Sequence, residues 1–196
     1  MIVTRIEIGP EDQGRIMSLE DFAHAEGRAG HGYELARGRV VVVEVPRVPH
    51  ALVVQAVHRQ LRAYDLAHQG RIYLLAGGSD CALRLPGMQS ERHPDAAVYL
   101  TSPPAGDDPW SRWIPEIAVE VVSPGAEARQ RDYVVKREEY LAAGIREYWI
   151  VDPEMRSVVA LVRDGDRWQE QRRGAGDRHR TGVLPGFELD VAGLFA

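Results

Sequence analysis

Three residues set the chemistry this sequence could perform: Asp95, Glu120 and Lys136. Asp95 opens the run Asp95-Ala-Ala-Val-Tyr-Leu, and Glu120 lies within Ile117-Ala-Val-Glu-Val-Val. A carboxylate inside an apolar strand is costly when unpaired, so two of them call for a shared explanation. A hard cation provides one. Mg²⁺ takes oxygen ligands and keeps several waters, so two or three protein carboxylates are enough to hold it. Bound there, it would polarise a phosphodiester and shield the charge that develops on it.

Lys136 is the only lysine among 24 Lys and Arg residues. The chain uses arginine elsewhere, yet a wide guanidinium cannot replace a compact ammonium beside a phosphate or an attacking water. Geometry ties Lys136 to Glu120. From Glu120 the strand runs on to Pro124, roughly 13 Å at about 3.3 Å per residue. A helix from Glu127 returns by roughly 13 Å at about 1.5 Å per residue and brings Lys136 level with Glu120. The plain alternative is an i,i+4 surface pair with Asp132.

The elements that must position these groups follow from periodicity. Ser18 caps a short helix with Glu20 and Asp21 in its first turn. Tyr33 to Val45 reads as a hairpin turning at Gly38, interrupted afterwards by Pro46 and Pro49. His50 to His68 has helical spacing (Val53, Val54, Val57, Leu61, Tyr64) and closes at Gly70. Arg71 to Ala76 and Cys81 to Leu85 look like paired strands around Gly77-Gly78. Pro94 to Leu100 and Ile114 to Val122 are further strands. Glu127 to Ala143 is a helix ended by Gly144, and Glu147 to Asp152 a strand stopped by Pro153. Ser157 to Val162 and Arg167 to Gln171 form a hairpin, and the tail from Leu184 adds a strand and turn. The expected fold class is α+β, with a mixed β-sheet flanked by helices. Residues 17–196 form the domain, and residues 1–16 are an N-terminal extension in which Met17 is itself a candidate start.

Composition narrows the function classes. Hydrophobic residues make up 44% and charged residues 27%, the mix of a folded globular chain. No apolar run is long enough to cross a membrane, and Glu7, Glu11 and Asp12 stand where a signal peptide would be apolar. The single cysteine, Cys81, allows no intrachain disulfide, so a reducing cytoplasm is the expected compartment. A net charge of -5 argues against a protein that coats nucleic acid by bulk charge. It leaves room for a metal site, where the cation reverses the local field. Basic density is local: Arg129, Arg131, Lys136 and Arg137 form one cluster, and Arg172, Arg173, Arg178 and Arg180 another. Each is a candidate for holding a phosphate backbone or, more plainly, a solvated face.

Other motifs carry less. The histidines have no zinc spacing, and His50 reads as a structural residue at a helix N-terminus, with reach to the site or to DNA as the alternative. Gly77-Gly78-Ser79-Asp80 lacks the lysine of a phosphate loop. Ser123-Pro124-Gly125 lacks the setting of a nucleophile elbow. Tyr148 and Trp149 read as core.

An ordered series of motifs does more. Tyr33-Glu34, His50, Pro94-Asp95, Val119-Glu120-Val121-Val122-Ser123-Pro124, Lys136 with Tyr140, Ala143-Gly144-Ile145-Arg146-Glu147-Tyr148-Trp149 and Leu184-Pro185-Gly186 occur in that order. The series resembles the Uma-type restriction endonuclease family of the PD-(D/E)xK nuclease superfamily, over about residues 17–195. The resemblance implies a restriction-endonuclease-like PD-(D/E)xK core and Mg²⁺ or Mn²⁺ as cofactor. It makes Glu34, Asp95 and Glu120 the metal-binding acids and Lys136 the catalytic lysine. The chain departs from the superfamily's simplest pattern, since Val122 stands where a lysine would follow Glu120 by two. Hydrolysis of DNA phosphodiester bonds is the expected function; a catalytically silent nucleic-acid-binding or interaction module on the same fold is the alternative. A homodimer would suit the cutting of both strands, although no sequence feature marks its surface.

Overall fold

The computed structural model describes residues 6–43 and 47–196. Two short strands, β1 (Glu7–Ile8) and β2 (Glu26–Gly27), pair in parallel before and after helix α1 (Leu19–Ala23). The Ser18 hydroxyl accepts the Asp21 N–H at 3.0 Å, as expected of an N-cap. The hairpin of β3 (Gly32–Ala36) and β4 (Arg39–Val43) follows. Its turn residues Arg37 and Gly38 have φ of 48° and 75°, the left-handed pair whose twist suits a two-residue hairpin. The strand's expected end at Glu44 and Val45, and its break at Pro46, lie outside the described residues, as do residues 1–5.

Helix α2 (Val48–Ala67) takes Pro49 into its first turn, where a missing N–H leaves no hydrogen bond unmade. Then come β5 (Leu74–Ala76), β6 (Leu83–Leu85), β7 (Ser90–Arg92), β8 (Ala96–Tyr99) and β9 (Ile117–Val121). The following helical segment is built in three pieces: α3 (Ala126–Gln130), a π-helical turn over Arg131–Val135, and α4 (Lys136–Ala143). Strand β10 (Glu147–Asp152), the hairpin β11 (Ser157–Asp164) and β12 (Arg167–Gly174), then β13 (Arg178–Arg180) and β14 (Glu188–Asp190) complete the chain. The tail strand and turn are as the sequence suggested, the turn being a 3-10 segment over Ala192–Leu194.

The main sheet has six strands in the order β12-β11-β10-β9-β8-β5. It is mixed: β9 and β10 run parallel, joined across the α3–α4 segment, and the other neighbours are antiparallel. Every residue of β9 and β10 is buried, so both faces of the centre are covered. Alternation along β9 sorts its side chains. Ile117, Val119 and Val121 meet Val53, Val57 and Leu61 of α2. Ala118 and Val122 meet Tyr140 of α4 together with Tyr148 and Ile150. Glu120 has the parity of Ala118 and Val122, which puts it on the α4 side.

One expected pairing is corrected. The segments 71–76 and 81–85 do not pair with each other: β5 joins β8 in the main sheet, and β6 joins β7 in a second sheet of order β4-β3-β7-β6. A 3-10 turn over Gly78–Asp80 carries the chain from one sheet to the other instead of reversing it. Strand β7 had no apolar signal, because its buried Ser90, Glu91 and Arg92 are held by polar contacts.

Candidate active site

The register of β8 and β9 pairs Ala96 with Val119 and Ala97 with Ala118. Extending it by one residue sets Asp95 opposite Glu120 on the same face of adjacent strands. Asp95 sits at the strand mouth with 23% of its side chain exposed, whereas Glu120 is buried. The Asp95 Oδ2 accepts the Val121 N–H at 2.7 Å. His50, at the start of α2, donates through Nε2 to the Val121 carbonyl at 2.8 Å, with the same nitrogen 3.6 Å from Asp95 Oδ2. His58, two turns along α2, donates to the Asp95 carbonyl at 2.8 Å. Asp95 is therefore fixed by its strand, the neighbouring strand and a helix.

Lys136 enters from the α4 side. Its Nζ lies 2.9 Å from Glu120 Oε1 and 3.2 Å from Glu34 Oε1, and the side chain is 3% exposed. Asp132, the expected surface partner, is 4.0 Å away and is itself held by Arg131 at 3.0 Å. The π-helical turn between Asp132 and Lys136 explains the preference. A wider turn changes the phase of the helix, and Tyr148 donates to the Asp132 carbonyl within it at 2.8 Å. Tyr140, one turn beyond Lys136, donates its hydroxyl to Glu120 Oε1 at 2.6 Å.

Glu34 comes from the second sheet. Its Oε2 accepts from Arg92 Nη1 at 3.0 Å, and its Oε1 from the His93 N–H at 3.2 Å as well as from Lys136. Arg92 is fully buried and also donates through Nε to Glu139 at 2.7 Å, while Ser90 donates to the other Glu139 oxygen at 3.0 Å. An ion-pair chain thus runs from Glu139 through Arg92, Glu34 and Lys136 to Glu120. Buried pairs of this kind recover their desolvation cost only when the remaining lone pairs and protons are also satisfied, as most are here.

The electrostatics are uneven along that chain. Burial alone would raise Glu34, but Lys136 and Arg92 outweigh it and hold the carboxyl well below its usual range. Burial raises Glu120, and Asp95, Asp132 and Glu34 add to it, so Lys136 does not bring this carboxyl down. Burial would lower Lys136, but Glu120, Glu34 and Asp132 keep it firmly protonated. Glu120 is therefore held back from ionising, first by burial and then by the acids around it.

A divalent cation would offset both the burial and the crowding of acids at Glu120. Asp95 and Glu120 suit Mg²⁺ or Mn²⁺, since such ions accept few carboxylates and retain waters. Among the described residues, no three His, Cys, Asp or Glu side chains are grouped as a ready-made cage. Asp95 also lines an open cleft of about 380 Å³ between α2 and the Gly77-Gly78 turn. A larger cavity of about 620 Å³, against Leu19, Arg84 and Trp110, contains none of the four residues.

Residues 19–192 match the sequence profile of Uma2, described as "Putative restriction endonuclease". The chain belongs to the Uma2 family. Among solved structures, the Uma2 chain is similar to "a putative nuclease belonging to DUF820" from Anabaena variabilis. The TM-score is 0.67 at 15% identity, covering 91% of this chain and 97% of that one, so the likeness is one of fold. No curated protein is significantly similar. The α+β class and the restriction-endonuclease-like core expected from sequence are thus present.

The two arginine clusters of this Uma2 chain are largely neutralised. Arg129 pairs with Asp152 at 2.7 Å, and Arg137 with Glu170 at 2.9 Å. Arg172 also pairs with Glu170, and Arg178 and Arg180 both pair with Glu188. Apart from Glu170 beside Arg172 on β12, these acids come from other elements than the arginines they hold, and no local pattern in the sequence matches them. Sequence reasoning also missed Arg92 and Glu139, although Arg92 stands three residues before Asp95 in an otherwise short polar strand. Among the described residues, no helix is long and apolar enough to cross a membrane.

Proposed function

We propose that this Uma2 protein hydrolyses DNA phosphodiester bonds with the help of Mg²⁺ or Mn²⁺. The observation that carries the reading is the placement of the chain's only lysine, buried between Glu120 and Glu34 beside the Asp95 strand mouth. Surface charge needs no such burial. Asp95 and Glu120 would hold the cation, Asp95 from the cleft side and Glu120 from within. When bound, the ion supplies Lewis-acid polarisation of the phosphodiester and neutralises charge on it.

The protein's own groups do the rest. Lys136 holds a proton firmly, so it acts as a fixed positive charge that steadies negative charge gathering on the phosphate. Glu34, with both oxygens on cations or N–H groups, serves to hold Lys136; that role suits it better than the metal-ligand role the resemblance suggested. Arg92 and Glu139 hold Glu34. Tyr140 orients the Glu120 carboxyl, and His50 and His58 fix the backbone around Asp95. The domain over 17–196 carries all of these residues, and a cytoplasmic setting would suit them.

Cleavage of supercoiled plasmid with and without Mg²⁺, by the parent protein and by Asp95→Asn, tests the reading. Divalent-dependent nicking by the parent alone supports it. Tight DNA binding without turnover, under either metal, would favour the silent binding module.

A further inference from the structure

We propose that helix α2 carries a phosphate track for the strand being cut, with Arg62 as its anchor and Gln55 beside it. The inference rests on the nuclease reading above, since Asp95 marks where the strand is cut. Arg62 lines the same cleft as Asp95, and among the described residues it makes no ion pair. Most arginines of the two basic clusters, by contrast, are paired with acids, and a paired guanidinium has less to offer a phosphate.

Position supports the assignment. Gln55, His58 and Arg62 follow each other by three and four residues, so they share one face of α2. That face lies beside the buried stripe of Val53, Val57 and Leu61 that fastens the helix to the sheet. Gln55 and Arg62 are both exposed, while half-buried His58 is committed to the Asp95 carbonyl. The two free side chains are seven residues apart, about 10 Å along the helix. Both have flexible stems and N–H donors, and the Arg62 fork matches two phosphate oxygens at once.

The opposite wall is backbone. A Cβ on Gly77 would run into the Asp95 carbonyl and come within 3.0 Å of His58 Nε2, so the glycine lets this turn close against the strand mouth. Gly78, with φ of 57°, adds no side chain to the space. Asp80, further along the same turn, keeps that wall acidic, so the phosphate seat belongs on the α2 side. The arginine and amide on the α2 side can hold a sugar–phosphate strand without reading its bases, with the acidic Asp80 turn across from them.

The test is binding of a fluorescent DNA duplex, without divalent ions, followed by anisotropy across a salt series. Losing one phosphate contact should make the slope of log affinity against log salt shallower by about 0.9 in Arg62→Ala. Arg62→Lys should restore most of that slope, and Arg167→Ala, paired with Asp164 on the surface, should keep the parent's. Melting curves should match throughout. With Mg²⁺ present, Arg62→Ala should raise KM for cleavage and leave the rate at saturating DNA within about twofold, the pattern of a lost uniform-binding contact. An Arg62→Ala protein with the parent's affinity and slope would overturn the track while the nuclease reading stood. A parent that binds through Arg62 yet cuts nothing would support the track and overturn the nuclease reading.

Discussion

Lys136 and Glu120 meet at 2.9 Å although they reach the site from a helix and a strand on different sides of a sharp turn. The contact gives the buried Lys136 ammonium an acid partner at close range. Glu34 closes the other side of the ammonium, and Glu120 stands across from Asp95 in the extended register of β8 and β9. The consequences can be measured separately.

Divalent ions should stabilise the protein. Glu120 is raised by burial and by Asp95, Asp132 and Glu34, so a cation that binds the folded state relieves repulsion. At a hundred times the dissociation constant, the linkage contribution is about 2.7 kcal/mol. We expect a melting shift with Mn²⁺ or Mg²⁺, absent in Asp95→Ala and Glu120→Ala. A parent protein whose melting point ignores millimolar metal would argue against the cation site.

Gly77→Ala should damage the site without replacing any proposed catalytic side chain. The added methyl meets the Asp95 carbonyl, a backbone atom that cannot swing aside. A forced backbone shift costs about 1–3 kcal/mol, and a displaced Asp95 should cost cleavage on the order of 10²-fold. Near-parental cleavage would mean that the turn is looser than the structure describes. Gly78→Ala is the contrasting case: its Cβ meets nothing within 4 Å, so only its positive φ resists.

Glu147 governs part of the acid stability of the fold. Burial would raise this carboxyl, but His179, Thr181 and Trp149 overcome that and lower it below its usual 4.5. Thr181 donates to it at 2.6 Å and the Trp149 indole at 2.9 Å. Because the folded value is the lower one, the unfolded chain takes up the proton first as pH falls. The stabilisation is complete above about 4.5 and is lost as pH drops through the folded value. Glu147→Gln should cost roughly 1–3 kcal/mol at neutral pH and flatten the acid limb of a stability–pH curve. Parallel curves for the two proteins would remove Glu147 from this role.

How much of this was legible in the sequence depends on the kind of signal. Glu120 stood out because a charge interrupts an apolar strand, and Lys136 because the chain has no other lysine. The two strands that carry Asp95 and Glu120 were legible from their apolar patterns, whereas the register that sets these residues opposite each other came from the structure. Contacts between remote segments were hidden. Glu34 and Lys136 are 102 residues apart and belong to a separate sheet and a helix, so no periodicity connects them. The arginine clusters looked available because Asp152 for Arg129, Glu170 for Arg137, and Glu188 for Arg178 and Arg180 come from separate elements. Strand β7 escaped notice because its buried residues are polar, and periodicity registers only apolar faces. The π-helical turn gave no signal, since its sequence is ordinary for a helix.

The central claim is that Lys136 acts as a compact ammonium at the acid pair, and Lys136→Arg tests it most directly. Arginine retains the charge and forms ion pairs at least as well, but it is wider and spreads its charge. The measurement is Mg²⁺-dependent nicking of supercoiled DNA by the parent and Lys136→Arg proteins, with melting curves to show that both are folded. The account predicts that nicking falls on the order of 10² or more, the scale for removing an electrostatic donor from a transition state. Equal nicking by two equally folded proteins would contradict it.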